Sequence, residues 1–232
     1  MQEPQQIKLE YRPVAGARCR FQVTTKLQQG VGNINVTTDQ SYAVEMVIAQ
    51  EILEVRGDRT FRARYTIESA VMKMGGLSSP VPHQGREVVV TMKPNGEILE
   101  SSREFPFSNP TFPEGPLAIN AAWKGKSEII IPITERIPQA TPQGTLELEY
   151  HYTLESIQTF AGTECAVIRT FLPDTHVSVP PDLEQDLKAQ GKVYFAFQQG
   201  RLMGFSNESR SLIRKGDTEA SSIFSTRMNL LP

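Results

Sequence analysis

A chain of 232 residues, 39% hydrophobic and 22% charged, has the composition of a folded protein and is long enough for one large β domain or two small ones. Its 24 Lys and Arg against 26 Asp and Glu leave a formal charge of −2, so no broad cationic footprint for nucleic acid or an anionic membrane is expected. The most apolar run, Ile129–Ile133, is interrupted by Pro132 and is far too short to cross a bilayer.

Residues 1–15 read as an irregular lead-in, because Pro4 and Pro13 oppose both a helix and a central strand. The first ten residues hold no apolar signal core. Two histories fit: a cytoplasmic protein, or a periplasmic or extracellular one whose export signal has been removed. From Arg18 the text changes. Phe21, Val23, Thr25 and Leu27 recur at period two, the spacing of a half-buried strand. Gly30 and Gly32 predict a turn, and the β-branched run 34–55 predicts a long strand whose parity slips near Thr38–Tyr42. After Gly57 and Asp58, Phe61, Ala63, Tyr65 and Ile67 alternate with Arg62, Arg64, Thr66 and Glu68, giving a strand with one wet face. Asn95-Gly96 sits between two strand-like runs and predicts a tight hairpin with positive φ at Gly96.

The segment 105–120 is rich in proline and predicts an extended crossover pinned by Phe105, Phe107 and Phe112. Beyond Trp123, a strand carrying Pro132 calls for an edge or a bulge. Leu146, Leu148, Tyr150 and Tyr152 share one face of the next strand, which closes at Ala161-Gly162 before a return strand. Pro181, Asp182 and Glu184, with Leu183 and Leu187 four apart and Gly191 at the exit, predict one short helix. Two strands turning at Gly200 follow, then Gly216-Asp217 and a terminal strand.

The halves 18–104 and 121–228 echo one another. Gly57 aligns with Gly162, Ala63 with Ile168, and Gly96 with Gly200 at nearly equal spacing. The expected fold is mainly β: a large curved antiparallel sheet, or a two-sheet assembly, from an internal duplication about a pseudo-twofold axis, with one short helix. The crossover 105–120 carries apolar side chains that a free linker would expose, so residues 1–232 are expected to form a single cooperative domain.

The long alternating strands, the turn pair KPNGEIL and QQGRLMG, and the segment NPTFPEGPLAINAAWKG resemble bacterial envelope proteins with a curved antiparallel sheet, typified by the lipoprotein-carrier fold. That resemblance implies an apolar molecule or lipid bound on the concave side of the sheet. It carries over no functional residue by motif, and Cys19 lies inside a strand-like run, away from any lipidation position.

The chain has no phosphate loop, dinucleotide fingerprint, nucleophile elbow or zinc-protease pattern, and no cofactor is expected. Cys19 and Cys165 are the two cysteines; buried free thiols are expected over a bridge between the halves. Cys165 with His151 is the one pairing that offers a nucleophile and a base, and it lacks an orienting third group. The expected ligand-binding residues are Trp123, Phe195 and Phe197, with Tyr194 on the opposite face. The leading reading is a non-catalytic binding or carrier module for an apolar small molecule or lipid. A structural or protein-interaction module and a hydrolase of unknown class are the alternatives. An apolar ligand or a protein is the expected partner, with no nucleic acid; the oligomeric state is left open.

Overall fold

The computed structural model describes residues 6–33, 36–81, 84–102, 110–130, 145–179 and 183–232, and these contain strands and no helix. The first half holds β1 (Gln6–Lys8), β2 (Arg18–Asn33), β3 (Val36–Val55), β4 (Phe61–Met74), β5 (Leu77–Pro80), β6 (Glu87–Met92) and β7 (Ile98–Ser101). Next come β8 (Pro116–Ala118), β9 (Ala122–Ile130), β10 (Thr145–Phe160), β11 (Thr163–Val179), β12 (Leu183–Ala196), β13 (Arg201–Lys215) and β14 (Thr218–Leu230). Twelve of these form one antiparallel sheet in the order β7-β6-β4-β3-β2-β14-β13-β12-β11-β10-β9, with β5 added beside β4. β1 pairs with β8 in a separate two-stranded sheet.

The first and last long strands, β2 and β14, meet in the middle of the large sheet. The order runs from β9 to β14 and then from β2 to β7 in one direction, so the halves stand head to tail.

The sheet is strongly curved, and one side chain demonstrates it. The Tyr11 ring centroid lies 6.2 Å from that of Phe61 on β4 and 5.1 Å from that of Phe195 on β12. Phe61 and Phe195 are therefore within about 12 Å, whereas five strand spacings on a flat sheet would separate them by about 24 Å. The sheet curls around Tyr11, and its concave face holds the main core. Phe112, Phe195, Leu154 and Ile168 are fully buried there, joined by Ile7 and Leu9 from around β1. Among the described residues, the second face carries a small cluster near one row of turns, where Phe160 stacks on Tyr194 at 4.2 Å beside Cys165 and Ala196.

From residue 6 onward, the lead-in is an ordered strap. Consecutive residues tie it to opposite halves: the Tyr11 N–H donates to the Pro94 carbonyl (2.7 Å) and the Arg12 N–H to the Gly200 carbonyl (2.9 Å). Both aligned turn glycines have positive φ, 90° at Gly96 and 64° at Gly200. Both also lie against other backbone: a Cβ on Gly96 would run into the Pro110 carbonyl oxygen, and one on Gly200 would stand 2.6 Å from Arg12. The strap and the crossover can dock because these positions lack side chains.

Three local expectations change. Leu183–Ala189 lie in β12, paired with β11 and β13, not in a helix. Leucines four apart satisfy period two as well as 3.6, and Gln185 and Ala189 share the buried side. Gly191 is required by the sheet, because a Cβ there would strike the Ser206 carbonyl oxygen. Gly30 and Gly32 lie inside β2, whose register with β3 runs unbroken from Arg18↔Glu51 to Asn33↔Val36. The bulges of β3 fall instead at Val47/Ile48 and Ile52/Glu54 against β4. The expectations for Pro4, Phe105, Phe107, Pro132, Pro181 and Asp182 lie outside the described residues.

Candidate functional site

Between the strap and the centre of the sheet lies a cavity of about 350 Å³ that opens to solvent. Its floor is built by alternation. Phe21 on β2, Ile48 and Ile52 on β3, Phe61 on β4 and Met228 on β14 project to one face and are nearly fully buried. Pro13, Val14 and Ala17 of the strap form the opposite wall. The strap is fixed over the floor by a reciprocal pair of backbone bonds: Gly16 N–H to the Ile52 carbonyl (2.8 Å) and Ile52 N–H to the Ala17 carbonyl (2.9 Å).

One short polar chain crosses this wall. The Cys19 thiol donates to Gln50 Oε1 (3.1 Å), and Gln50 Nε2 donates to the Tyr65 hydroxyl oxygen (2.6 Å). Burial pushes the Cys19 thiol up to about 11, so it is a protonated donor and a poor nucleophile at neutral pH. The Tyr11 hydroxyl is buried without a hydrogen-bond partner among the described residues, and burial raises its pKa far above the ordinary phenol value.

The charge at the cavity has one sign. Arg12, Arg18 and Arg201 line it, and among the described residues no Asp or Glu does. Arg12 is held by Glu10 (3.1 Å) and donates to the Gln198 carbonyl (3.2 Å). Arg18 is held by Glu51 (2.6 Å). Arg201, where β13 leaves the Gly200 turn, has no ion-pair partner among the described residues.

The three aromatics singled out from sequence share one neighbourhood but not this cavity. Phe195 is fully buried, with Phe112 at 4.7 Å and Tyr11 edge-on. Trp123 is half-buried, stacks on Tyr152 at 5.5 Å and donates its indole N–H to the Thr111 carbonyl (2.8 Å). Phe197 packs at the margin of the same core. Tyr194 does point to the other face. The residues that sequence reasoning missed are those of the strap, where its prolines masked the alternation of Ile7, Leu9 and Tyr11.

Cys165 and His151 do not meet. Cys165 is fully buried opposite Gln158, while His151 lies well along β10 opposite Phe171. Both cysteines are free thiols. A Ser178–His176–Asp186 contact series exists on the exposed face of β11 and β12. Its serine–histidine distance is 3.5 Å, and Asp186 also accepts from Arg214 at 2.8 Å, so it is an ion network and not a poised nucleophile. Among the described residues, no three His, Cys, Asp or Glu side chains are grouped to hold a metal ion. No helix among them is long and apolar enough to cross a membrane.

No protein-family model and no curated protein matches the chain. Among solved structures it is similar to DynF from the dynemicin biosynthesis pathway of Micromonospora chersina, at 8% identity and a TM-score of 0.25, over 96% of this chain and 83% of that one. It is also similar to an outer membrane lipoprotein-sorting protein domain from Vibrio parahaemolyticus, at 11% identity and a TM-score of 0.15, over 91% of this chain and 83% of that one. Scores this low transfer neither fold nor function.

Proposed function

We propose that this chain is a non-catalytic binding or carrier module for an apolar small molecule or lipid, and that the ligand occupies the cavity beneath the strap. The observation that carries this reading is an open cavity of about 350 Å³ over a floor of buried phenylalanine, isoleucine and methionine side chains. That volume lies at the lower end of the roughly 300–1,000 Å³ of small-molecule sites. Trp123, Phe195 and Phe197 contribute indirectly: Phe195 braces the ring of Tyr11, and Trp123 anchors the crossover. The strand succession β3-β4-β6-β7 matches β10-β11-β12-β13, which supports reading the halves as duplicates.

Native mass spectrometry of freshly purified protein is expected to show a copurified apolar ligand. Cys19 lines the cavity while Cys165 is buried, so ligand should slow Cys19 alkylation by N-ethylmaleimide. Ligand that binds and leaves the alkylation rate unchanged would place the site elsewhere. A protein partner is the second reading. It rests on the edge strand β7, which exposes Ile98 (37%) and Leu99 (45%). The same mass spectra report the oligomeric state.

A further inference from the structure

The proposed site has chemistry at its margin that a purely apolar ligand would not use. Arg12, Arg18 and Arg201 line the cavity and, among the described residues, no Asp or Glu does, although the whole chain carries a slight negative charge; the Arg201 charge acts on the cavity residue Cys19. Two of the three are already engaged, Arg12 by Glu10 and Arg18 by Glu51. Arg201 alone has no counter-ion among the described residues, and it is exposed beside apolar lining from Leu202 and Leu230. The Gly200 turn from which it springs is held in place by the Arg12 N–H, so its backbone is positioned by the same strap that walls the cavity.

A guanidinium presents a planar fork that matches two oxygens of a carboxylate or phosphate, and such charge-assisted pairs are about twice as strong as neutral ones. Resting on the reading of the cavity as a ligand site, we propose that the occupant is a single-chain amphiphile with an anionic oxygen head group. Its tail lies on Phe21, Ile48, Ile52 and Phe61, and its head pairs with Arg201 at the mouth. The Cys19–Gln50–Tyr65 chain is already internally bonded, so it does not demand a second polar group on the tail.

The test uses the full chain and three probes below their micellar concentrations: dodecanoate, dodecyl phosphate and dodecanol, measured by calorimetric titration. At least one anion is expected to bind about tenfold or more tightly than dodecanol, and the stronger anion identifies the head group as carboxylate or phosphate. Arg201 is exposed, so Arg201→Gln should fold normally and reduce anion affinity to that of dodecanol. Arg201→Lys should restore part of the preference, because it keeps the charge and loses the fork. If dodecanol binds as tightly as both anions, or if Arg201→Gln keeps the preference, the head-group assignment is overturned while the cavity reading stands. If none of the three binds, the cavity reading falls and the assignment falls with it.

Discussion

Glu10 and Arg59 meet at 3.1 Å, an ion pair that fastens the strap to the turn between β3 and β4. The Glu10 side chain is only 12% exposed and also accepts from Lys8 (2.8 Å) and Arg12 (3.1 Å). The bond from Lys8, and then those from Arg59 and Arg12, outweigh burial and hold its carboxyl down at about 2, against an ordinary 4.5. A folded-state pKa below the unfolded one stabilises the fold above the unfolded value, and the contribution is lost as pH falls through the folded value. Wild-type protein should therefore exceed Glu10→Gln in stability by on the order of 1 kcal/mol at neutral pH, since its partners are about half exposed. Denaturant unfolding from neutral pH down to pH 2 should show that difference shrinking below about pH 4.5. A difference that does not change with pH would deny Glu10 this role.

Gly96 combines two constraints. Its φ is 90°, and its Cα hydrogen faces the Pro110 carbonyl and the Tyr11 ring. The Gly96 N–H donates to Lys93 (2.9 Å), and the Lys93 N–H donates to Glu97 (2.9 Å), the pattern of a type I turn followed by a bulge. Gly96→Val should cost about 1–3 kcal/mol in an unfolding titration, through backbone strain and displacement of the crossover. An unchanged midpoint would mean that neither constraint binds.

Ala161 offers the opposite sign. It sits at φ 46° beside Gly162 at φ 77°, in a two-residue turn where an L-residue with a Cβ is strained. The turn is exposed, and nothing lies near Gly162. Ala161→Asn should raise stability by about 0.5–1 kcal/mol, read as a higher unfolding midpoint at constant slope. A loss would indicate that the methyl group makes a contact worth more than the strain.

We propose that residues 1–232 unfold as one unit. The pairing of β2 with β14 joins the halves at the middle of the sheet, and the strap bonds to a turn in each. Fragments 1–104 and 121–232 should each be soluble but unfolded by circular dichroism, beside one transition in the intact chain. Two fragment transitions that add up to the parent curve would overturn this.

Local signals were legible where one strand has one wet face. Phe61 and Ala63 are buried while Arg62 is exposed, as their alternation requires, and the Asn95-Gly96 turn follows from backbone chemistry alone. β12 was misread because Leu183 and Leu187 fit either period, and only pairing with β11 and β13 decides between them. The cavity leaves no local signature. It forms where the strap, the floor of β2–β4, the Gly200 turn and the end of β14 converge, and no window of sequence contains them together. Aromatic content pointed to Phe195, which is the most deeply buried of the three expected residues and braces the wall from behind.

The Thr25 and Thr226 hydroxyls lie 3.2 Å apart on adjoining strands, although the two residues are 201 positions apart in the chain. On the ribosome, β2 must therefore wait for its second neighbour. At about 5–20 residues per second the wait is tens of seconds. Throughout it, the nascent chain carries a strand edge bearing Phe21, Val23 and Leu27 that only the last strand will close. A polypeptide with that schedule is expected to depend on holding chaperones during synthesis, and to be lost to aggregation if translation stalls before β14 emerges.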